Sequence, residues 1–525
     1  MEFLDTTIGC LFDQLVRNKG EQKLLHFKDA SISWQEIDRI STKMASDMLS
    51  LNMTKGSRIA ILCQNSPLYL CALFAIWKIG GVAVLVNPSY KTHEINQLVD
   101  YVGFRGVFCD DFCIKKLQKT TTVEFIHYIG MDAWDSLEEQ SRQLPPSEAE
   151  RVAGQAREVQ PRDMACMLFT SGTTGVPKGV ELSHFQMLNV AKRAVDAMRW
   201  NEGDIVCVSL PLFHVFGLST CILAALFHQG TLCFTSSYKS IEIIKCVAKH
   251  RCTVLNGVPT MFLSMLNNPE KSHYDLSSLH SGIIAGSGVH ERDFLKVVRE
   301  LPIPHLMQSY GQTEASPSIT FSPYDDPVEK RAKSTGKAIP DVEIRIRDTK
   351  EDKDLPAGQR GEVEIRGFNT MSGYFHLPAE SKKVLRTDGW MKTGDIGYLD
   401  QEGYLYIVGR AKEMIIRGGE NISPQEIEEI ILSMDGITQV KVFGMQEEVI
   451  QESIAACIVQ TKNYSAQAIQ AHARTYLADY KVPKYIFFFD QFPEQSNGKV
   501  DVKKLKAMAD QQRKNAQPSP ALSSR

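Results

Sequence analysis

The sequence predicts an α/β protein: a large N-terminal domain of two similar α/β subdomains plus a small β-rich subdomain, followed by a smaller α+β C-terminal domain. Three observations predict it. After residue 58 the apolar runs RIAILC, VAVLVN and GVFCD alternate with helical stretches through Trp77 and Val102, the rhythm of parallel strands covered by helices. The rhythm returns after residue 200 in IVCVSL, TLCFT and CTVLNG, with helices near residues 218–227 and from about residue 240. Beyond residue 336 the pattern changes to period-two alternation at Val342, Ile344 and Ile346, then Val363 and Ile365, which marks β-strands with one covered face.

A third regime begins near Gly409, where MIIR, VKVFG and SIAACIV alternate with two amphipathic helices, the makings of a compact α+β unit. The expected domains are therefore 1–409, 410–510 and a polar tail 511–525, with the main boundary at Arg410 to Lys412. The tail QQRKNAQPSPALSSR has too little apolar surface to fold and is expected to stay disordered. Ser423 caps the first C-terminal helix, Pro424 suits its first turn, and Glu426 completes a capping box ahead of Ile427, Ile430 and Ile431.

With 525 residues the chain can support two or more domains. A formal net charge of -3 gives no bulk attraction to nucleic acid or anionic membrane. The twelve cysteines are scattered, and the closest pair, Cys109 and Cys113, lacks the CxxC spacing of zinc or redox sites, so they read as reduced core residues. The N-terminal stretch MEFLDTTIGC has no basic start with a long apolar run, and the expected location is cytoplasmic. Residues 205–227 contain no charged side chain and are long enough to cross a bilayer, yet Pro211, His214 and Gly217 interrupt them. They are expected to form a buried strand, turn and helix with no transmembrane segment.

The strongest local signal is LFTSGTTGVPKG, from Leu168 to Gly179, an apolar strand running into hydroxyls, glycines and a lysine. Glycines turn backbone amides toward an anion, Thr170, Ser171, Thr173 and Thr174 add donors, and Lys178 adds a point charge for a polyphosphate. The Walker pattern fails, since Gly175 and Lys178 are spaced differently and Gly179 stands where its metal-binding hydroxyl would be.

That string closely resembles the signature loop of the adenylate-forming superfamily, which includes acyl-CoA synthetases, firefly luciferase and nonribosomal peptide adenylation domains. Further motifs of the family come in order: PLFHVFGL, GVPT, AGSG, QSYGQTEASP, STGKAIP, GEVEIRG with MSGY, KTGDIGYLD, GYLYIVGRAKEMIIRGGENISPQEIE and NGKVDVKKL. The resemblance covers roughly residues 20–508 and is greatest to a fatty-acid or aryl-acid CoA ligase.

It implies ATP, Mg²⁺ and coenzyme A, with acyl-adenylate formation followed by transfer to the thiol. Thr170, Ser171, Gly172, Thr173, Thr174, Gly175 and Lys178 would hold ATP phosphates. Tyr310 would stack on adenine, Gly311 would allow its close approach, and Gly286, Ser287 and Gly288 would wall the opposite side. Thr313 would bond the α-phosphate and Glu314 would hold Mg²⁺. Asp395 and Arg410 are ribose candidates, with structural ion pairing the rival reading for each. Lys499 would be the adenylation catalyst, a cation placed where a carboxylate meets a negative phosphate. The family's C-terminal domain rotates between half-reactions, which makes Lys412 the expected hinge and brings a coenzyme A face of Arg417, Gly418 and Gly419 into play.

The acid is read from PLFHVFGL. His214 falls where amino-acid-activating relatives carry an aspartate, and Val215, Phe216 and, after GVPT, Met261 suggest an apolar acyl pocket that His214 gates or in which it orients the carboxylate. A medium- or long-chain fatty or aryl acid is favoured over an amino acid. Alternatives are transfer to a carrier-protein thiol in trans, a luciferase-like oxidation, and a non-catalytic nucleotide-binding homologue. Two departures from the family pattern stand out: Gln451 where relatives often have glycine, and Asp501 with Val502 where many carry an arginine.

Overall fold

The computed structural model describes residues 2–117, 125–130, 133–170, 177–235, 237–411, 413–417, 420–447, 451–495 and 498–516. Two compact units emerge from the packing: Met1–Val289 with Asp293–Ile344 and Ile365–Met391, and His290–Arg292 with Arg345–Glu364 and Lys392–Arg525.

The first unit holds the two expected α/β sheets. One has six strands in the order Phe125–Tyr128, Gly106–Cys109, Arg58–Leu62, Val82–Leu85, Met164–Thr170, Lys178–Ser183. All its pairings are parallel except the last, a hairpin that turns back through the glycine-rich loop. The other has nine strands in the order Lys337–Ala338, Ser318–Phe321, His305–Gly311, Ser281–Ile284, Val254–Leu255, Ile205–Val208, Thr231–Phe234, Lys23–Phe27, Ala30–Ser33. The halves are not sequential repeats, because Lys23–Phe27 joins the second sheet beside Thr231–Phe234.

The helix Pro67–Lys78, which connects Arg58–Leu62 to Val82–Leu85, is buried along its whole length. Its sequence, PLYLCALFAIWK, is apolar all round, as a helix covered on every side must be. The single charge, Lys78, meets Asp13 at 2.6 Å and Asp38 at 2.8 Å, and the two carboxylates outweigh the desolvation that alone would push its pKa down.

Residues 205–227 form the strand Ile205–Val208 and a helix that runs from Val215 to His228 with a π-helical turn at Leu218–Leu223. Among the described residues no helix is long and apolar enough to cross a membrane.

The β-rich region is a four-stranded sheet in the order Val342–Arg347, Gly361–Gly367, Met391–Leu399, Leu405–Arg410. The second compact unit starts within it rather than at Arg410, because Met391–Leu399 and Leu405–Arg410 are zipped together antiparallel and carry residues 392–410 into the C-terminal unit. The C-terminal part is a five-stranded sheet of Ile415–Arg417, Glu420–Ile422, Ile437–Glu447, Gln451–Gln460 and Tyr485–Phe488 with helices Pro424–Leu432, Ala466–Tyr476 and Val502–Ala516.

Two local expectations need correction. The tail is helical through Ala516, so residues 511–516 leave the expected disordered segment; Leu505 and Ala509 are buried with Phe443 and Phe487, which gives the helix the apolar anchor that the tail alone lacks. Residues 517–525 lie outside the described residues. Ser423 does cap Pro424–Leu432, accepting from the Glu426 amide, but Glu426 does not close the box: its carboxylate pairs with Lys481 at 2.8 Å. An ammonium partner outcompetes a backbone amide for a charged acceptor.

Candidate active site

Four neighbouring strands of the nine-stranded sheet, His305–Gly311, Ser281–Ile284, Val254–Leu255 and Ile205–Val208, run parallel. Their carboxyl ends therefore open on one edge, the edge at which open α/β sheets take ligands. Predicted site residues lie at all four ends. Tyr310, Gly311, Thr313 and Glu314 are at the first, and Gly286, Ser287 and Gly288 at the second. Met261 lies beyond the third, and His214, Val215 and Phe216 beyond the fourth.

The Gly286–Gly288 turn is exposed; Gly286 has φ +86°, and no atom lies within 4 Å of where a Cβ would stand on Gly288. Space over this turn is open to a planar group. A Cβ on Gly311 would stand 1.7 Å from the Pro317 carbonyl oxygen, so the returning chain by itself requires glycine there.

On the acyl side, Met261 is buried, its sulfur accepts the Ser209 hydroxyl at 3.2 Å, and its methyl fills the space over Gly257. His214 begins the helix after the turn at Pro211, with its ring 4.4 Å from that of Phe213. Val215 and Leu218 are buried and Phe216 is half-buried. Asn256 donates to the Thr220 carbonyl and accepts from the Ile283 amide, tying the π-helical turn to the adjacent strand.

The phosphate loop is carried by the hairpin in which Thr170 pairs with Lys178. Ser171, Gly172, Thr173, Thr174 and Gly175 lie outside the described residues. Lys178 meets Glu380 at 2.6 Å and stands 4.8 Å over the Tyr374 ring. The Tyr374 hydroxyl donates to Glu314 Oε1 at 2.9 Å. Phe375 N bonds the Gly179 carbonyl and Met371 N that of Glu314, so residues 371–375 stitch the hairpin to the Glu314 turn. Lys178 and Lys383 hold the Glu380 carboxyl down at about 2. Sequence reasoning gave Tyr374 of MSGY no role and passed over Glu380; the signals were a tyrosine inside a family motif and an acid in the first turn of helix Pro378–Val384.

In the second unit Asp395 is buried on Met391–Leu399, directly opposite Arg410, whose Nε lies 3.3 Å from its Oδ1. Both ribose candidates are thus brought together, and as an ion pair. Lys499 joins them: burial, and then the charge of Arg410, push its pKa below the ordinary lysine value. Arg417 lies on the strand Ile415–Arg417. Lys412, Gly418 and Gly419 lie outside the described residues.

Comparisons with known proteins identify the family. The AMP-binding enzyme family matches residues 12–375, and the AMP-binding enzyme C-terminal domain matches residues 426–499. Among relatives, YngI of Bacillus subtilis is 32% identical, covering 96% of this chain and 97% of its own. A mitochondrial medium-chain acyl-CoA ligase of Bos taurus, ACSF2, is 30% identical, covering 96% and 88%. The crystal structure of ATP-bound MatB from Rhodopseudomonas palustris superposes with a TM-score of 0.83 at 26% identity, over 96% of this chain and 99% of that one.

Proposed function

The chain belongs to the AMP-binding enzyme family and is an AMP-forming acid:coenzyme A ligase; from that premise we propose that its acid is a medium- or long-chain fatty or aryl acid and assign roles to its residues. The observation that carries the reading is the shared carboxyl edge, which puts an apolar Met261 and Phe216 region and an open glycine turn at the ends of neighbouring parallel strands. One part suits a hydrocarbon chain and the other a base.

In the first half-reaction a carboxylate oxygen attacks the α-phosphorus of ATP, the bond to the bridging oxygen breaks, and pyrophosphate leaves. Thr170 and Lys178 take the phosphates, Tyr310 and Gly286 to Gly288 the adenine, and Thr313 the α-phosphate. Asp395 and Arg410 hold the ribose, and Lys499 counters the negative charge that builds between the two anions. His214 orients the acid. A carboxylate fixed by a phenol hydroxyl and preceded by threonine in its turn suits a hard cation, so Glu314 would hold Mg²⁺, which when bound shields the phosphate charge.

In the second half-reaction the coenzyme A sulfur attacks the acyl carbon, the bond to the phosphate oxygen breaks, and AMP leaves. Lys412 serves as hinge, and Arg417, Gly418 and Gly419 provide the coenzyme A face. The cysteines are all free, which supports a reducing compartment, the cytoplasm; a tagged chain that fractionates with mitochondria, as the name of the ACSF2 relative suggests for that protein, would overturn this placement.

The test is acid-dependent pyrophosphate exchange across a panel from acetate to palmitate and benzoate, with coenzyme A or a holo-carrier protein as acceptor. Exchange with decanoate and release of decanoyl-CoA are expected. Exchange with none of the acids overturns the substrate class, and product only on the carrier overturns the acceptor.

A further inference from the structure

Four cysteines that are scattered along the sequence converge on one face of the nine-stranded sheet. Cys207 and Cys233 are register partners on the parallel strands Ile205–Val208 and Thr231–Phe234, so their side chains leave the same face. Cys246 comes from helix Ser240–His250 packed against these strands, and Cys252 from the turn into Val254–Leu255, which pairs with Ile205–Val208. The Sγ atoms of Cys207, Cys246 and Cys252 all lie within 4.8 Å of one another. Cys233, the register partner of Cys207, lies beside them, and its backbone carbonyl accepts from the Cys246 thiol at 3.6 Å.

We propose that Cys207, Cys233, Cys246 and Cys252 form a structural Zn²⁺ site. Zinc bound by four thiolates is tetrahedral with Zn–S near 2.3 Å, which sets neighbouring sulfurs about 3.8 Å apart. The sulfurs of Cys207, Cys246 and Cys252 need to close by no more than about 1 Å to reach that spacing, a shift within reach of χ1 adjustments. All ligand types are soft sulfur, which selects Zn²⁺ over Mg²⁺. With every position taken by protein the site is closed and serves structure rather than chemistry.

The surroundings agree. Cys207, Cys233 and Cys252 are fully buried and Cys246 nearly so, at 8% exposed, as ligands of a closed site would be. His250, in the last turn of the helix that carries Cys246, stacks on His26 at 4.9 Å. The weak bonds from Cys246 to the Cys233 carbonyl (3.6 Å) and from Cys252 to the Cys246 carbonyl (3.7 Å) would be given up on binding.

Each thiol that binds loses its proton to solvent, and no electron is transferred. The ion would join two strands, a helix and the turn into a third strand, and one of those strands, Ile205–Val208, leads to His214.

The purified full chain, exhaustively dialysed against a chelator of moderate strength and then metal-free buffer, is expected to retain about one zinc per chain. The Cys246→Ser chain should lose it, whereas the Cys71→Ser chain, altered at a buried cysteine outside the group, should keep it. Should Cys246→Ser fail to fold, the wild-type chain decides: stripped and titrated with Co²⁺, it should show a sulfur-to-cobalt charge-transfer band with the visible bands of a tetrahedral site. A folded wild-type chain that takes up neither Zn²⁺ nor Co²⁺, a cobalt spectrum without sulfur ligation, zinc content unchanged in folded Cys246→Ser, or a disulfide within the group each overturns the proposal.

Discussion

Two lysines separated by most of the chain are assigned to phosphate chemistry, and their surroundings are opposite. Lys178 meets Glu380 at 2.6 Å and rests over the Tyr374 ring. Lys499 is half-buried with the Arg410 cation acting on it, and its pKa is pushed down. The first is a cation neutralised until a stronger anion arrives, which suits binding. The second is a cation held at a cost, which suits a reaction in which negative charge develops beside it. One type of residue therefore serves two purposes, and the neighbours decide which.

Removing the second cation should have the largest effect. Lys499→Ala is expected to slow adenylate formation by about 10²- to 10³-fold, the ~3 to 4 kcal/mol associated with one preorganised group, yet largely spare thiolysis of presynthesised acyl-adenylate. Equal loss in both half-reactions, with the fold intact, would erase the distinction between the two lysines. Its depressed pKa adds a pH signature: the charged form is lost at a lower pH than for an ordinary lysine near 10.4, so adenylation should fall on the alkaline side before that value. Between the folded and unfolded values the unfolded chain binds more protons, so stability rises with pH there, and Lys499→Met should raise the neutral-pH Tm if the cation is held at a cost.

Next in size is Tyr374→Phe, which keeps the ring under Lys178 but deletes the bond to Glu314. About a tenfold loss in pyrophosphate exchange is expected, the ~1.5 kcal/mol of a hydrogen bond to a charged group, with the Mg²⁺ dependence shifted to higher concentration. An unchanged Mg²⁺ requirement would detach Tyr374 from the metal reading.

The smallest effect belongs to Glu380→Gln. Releasing Lys178 from its partner should lower the KM for ATP by up to about fivefold, and less at high salt, as for a solvated ion pair. A higher KM would mean that Glu380 positions the lysine instead of competing with ATP for it. Since its carboxyl is held at about 2, the stability contributed by the pair is complete above the ordinary glutamate range near 4.3 and is lost only as pH falls toward 2. A pH dependence of ATP affinity near neutrality should therefore not trace to protonation of Glu380.

The elements themselves were largely legible. RIAILC, VAVLVN, IVCVSL and TLCFT each became a strand, because a short apolar run bounded by turn residues has few other ways to bury itself. Proline at its first turn with Ser423 before it announced Pro424–Leu432. What failed were readings that depended on a distant partner. Glu426 left its capping box for Lys481, and residues 511–516 continued a helix whose buried residues pack on Phe443 and Phe487.

By itself the sequence determined most of the strands and helices, the phosphate loop ending in Lys178, and the family motifs, since each rests on residues close together in the chain. Only the tertiary structure decided that Tyr374 bridges Lys178 to Glu314, that Gly311 meets Pro317, that Asp395 pairs with Arg410 beside Lys499, and that Cys246 and Cys252 gather with Cys207 and its strand partner Cys233. The physical reason is the same in every case. Hydrogen bonds, ion pairs and metal ligation act over a few ångströms of space, and spacing along the chain sets that distance only within a single helix, strand or turn.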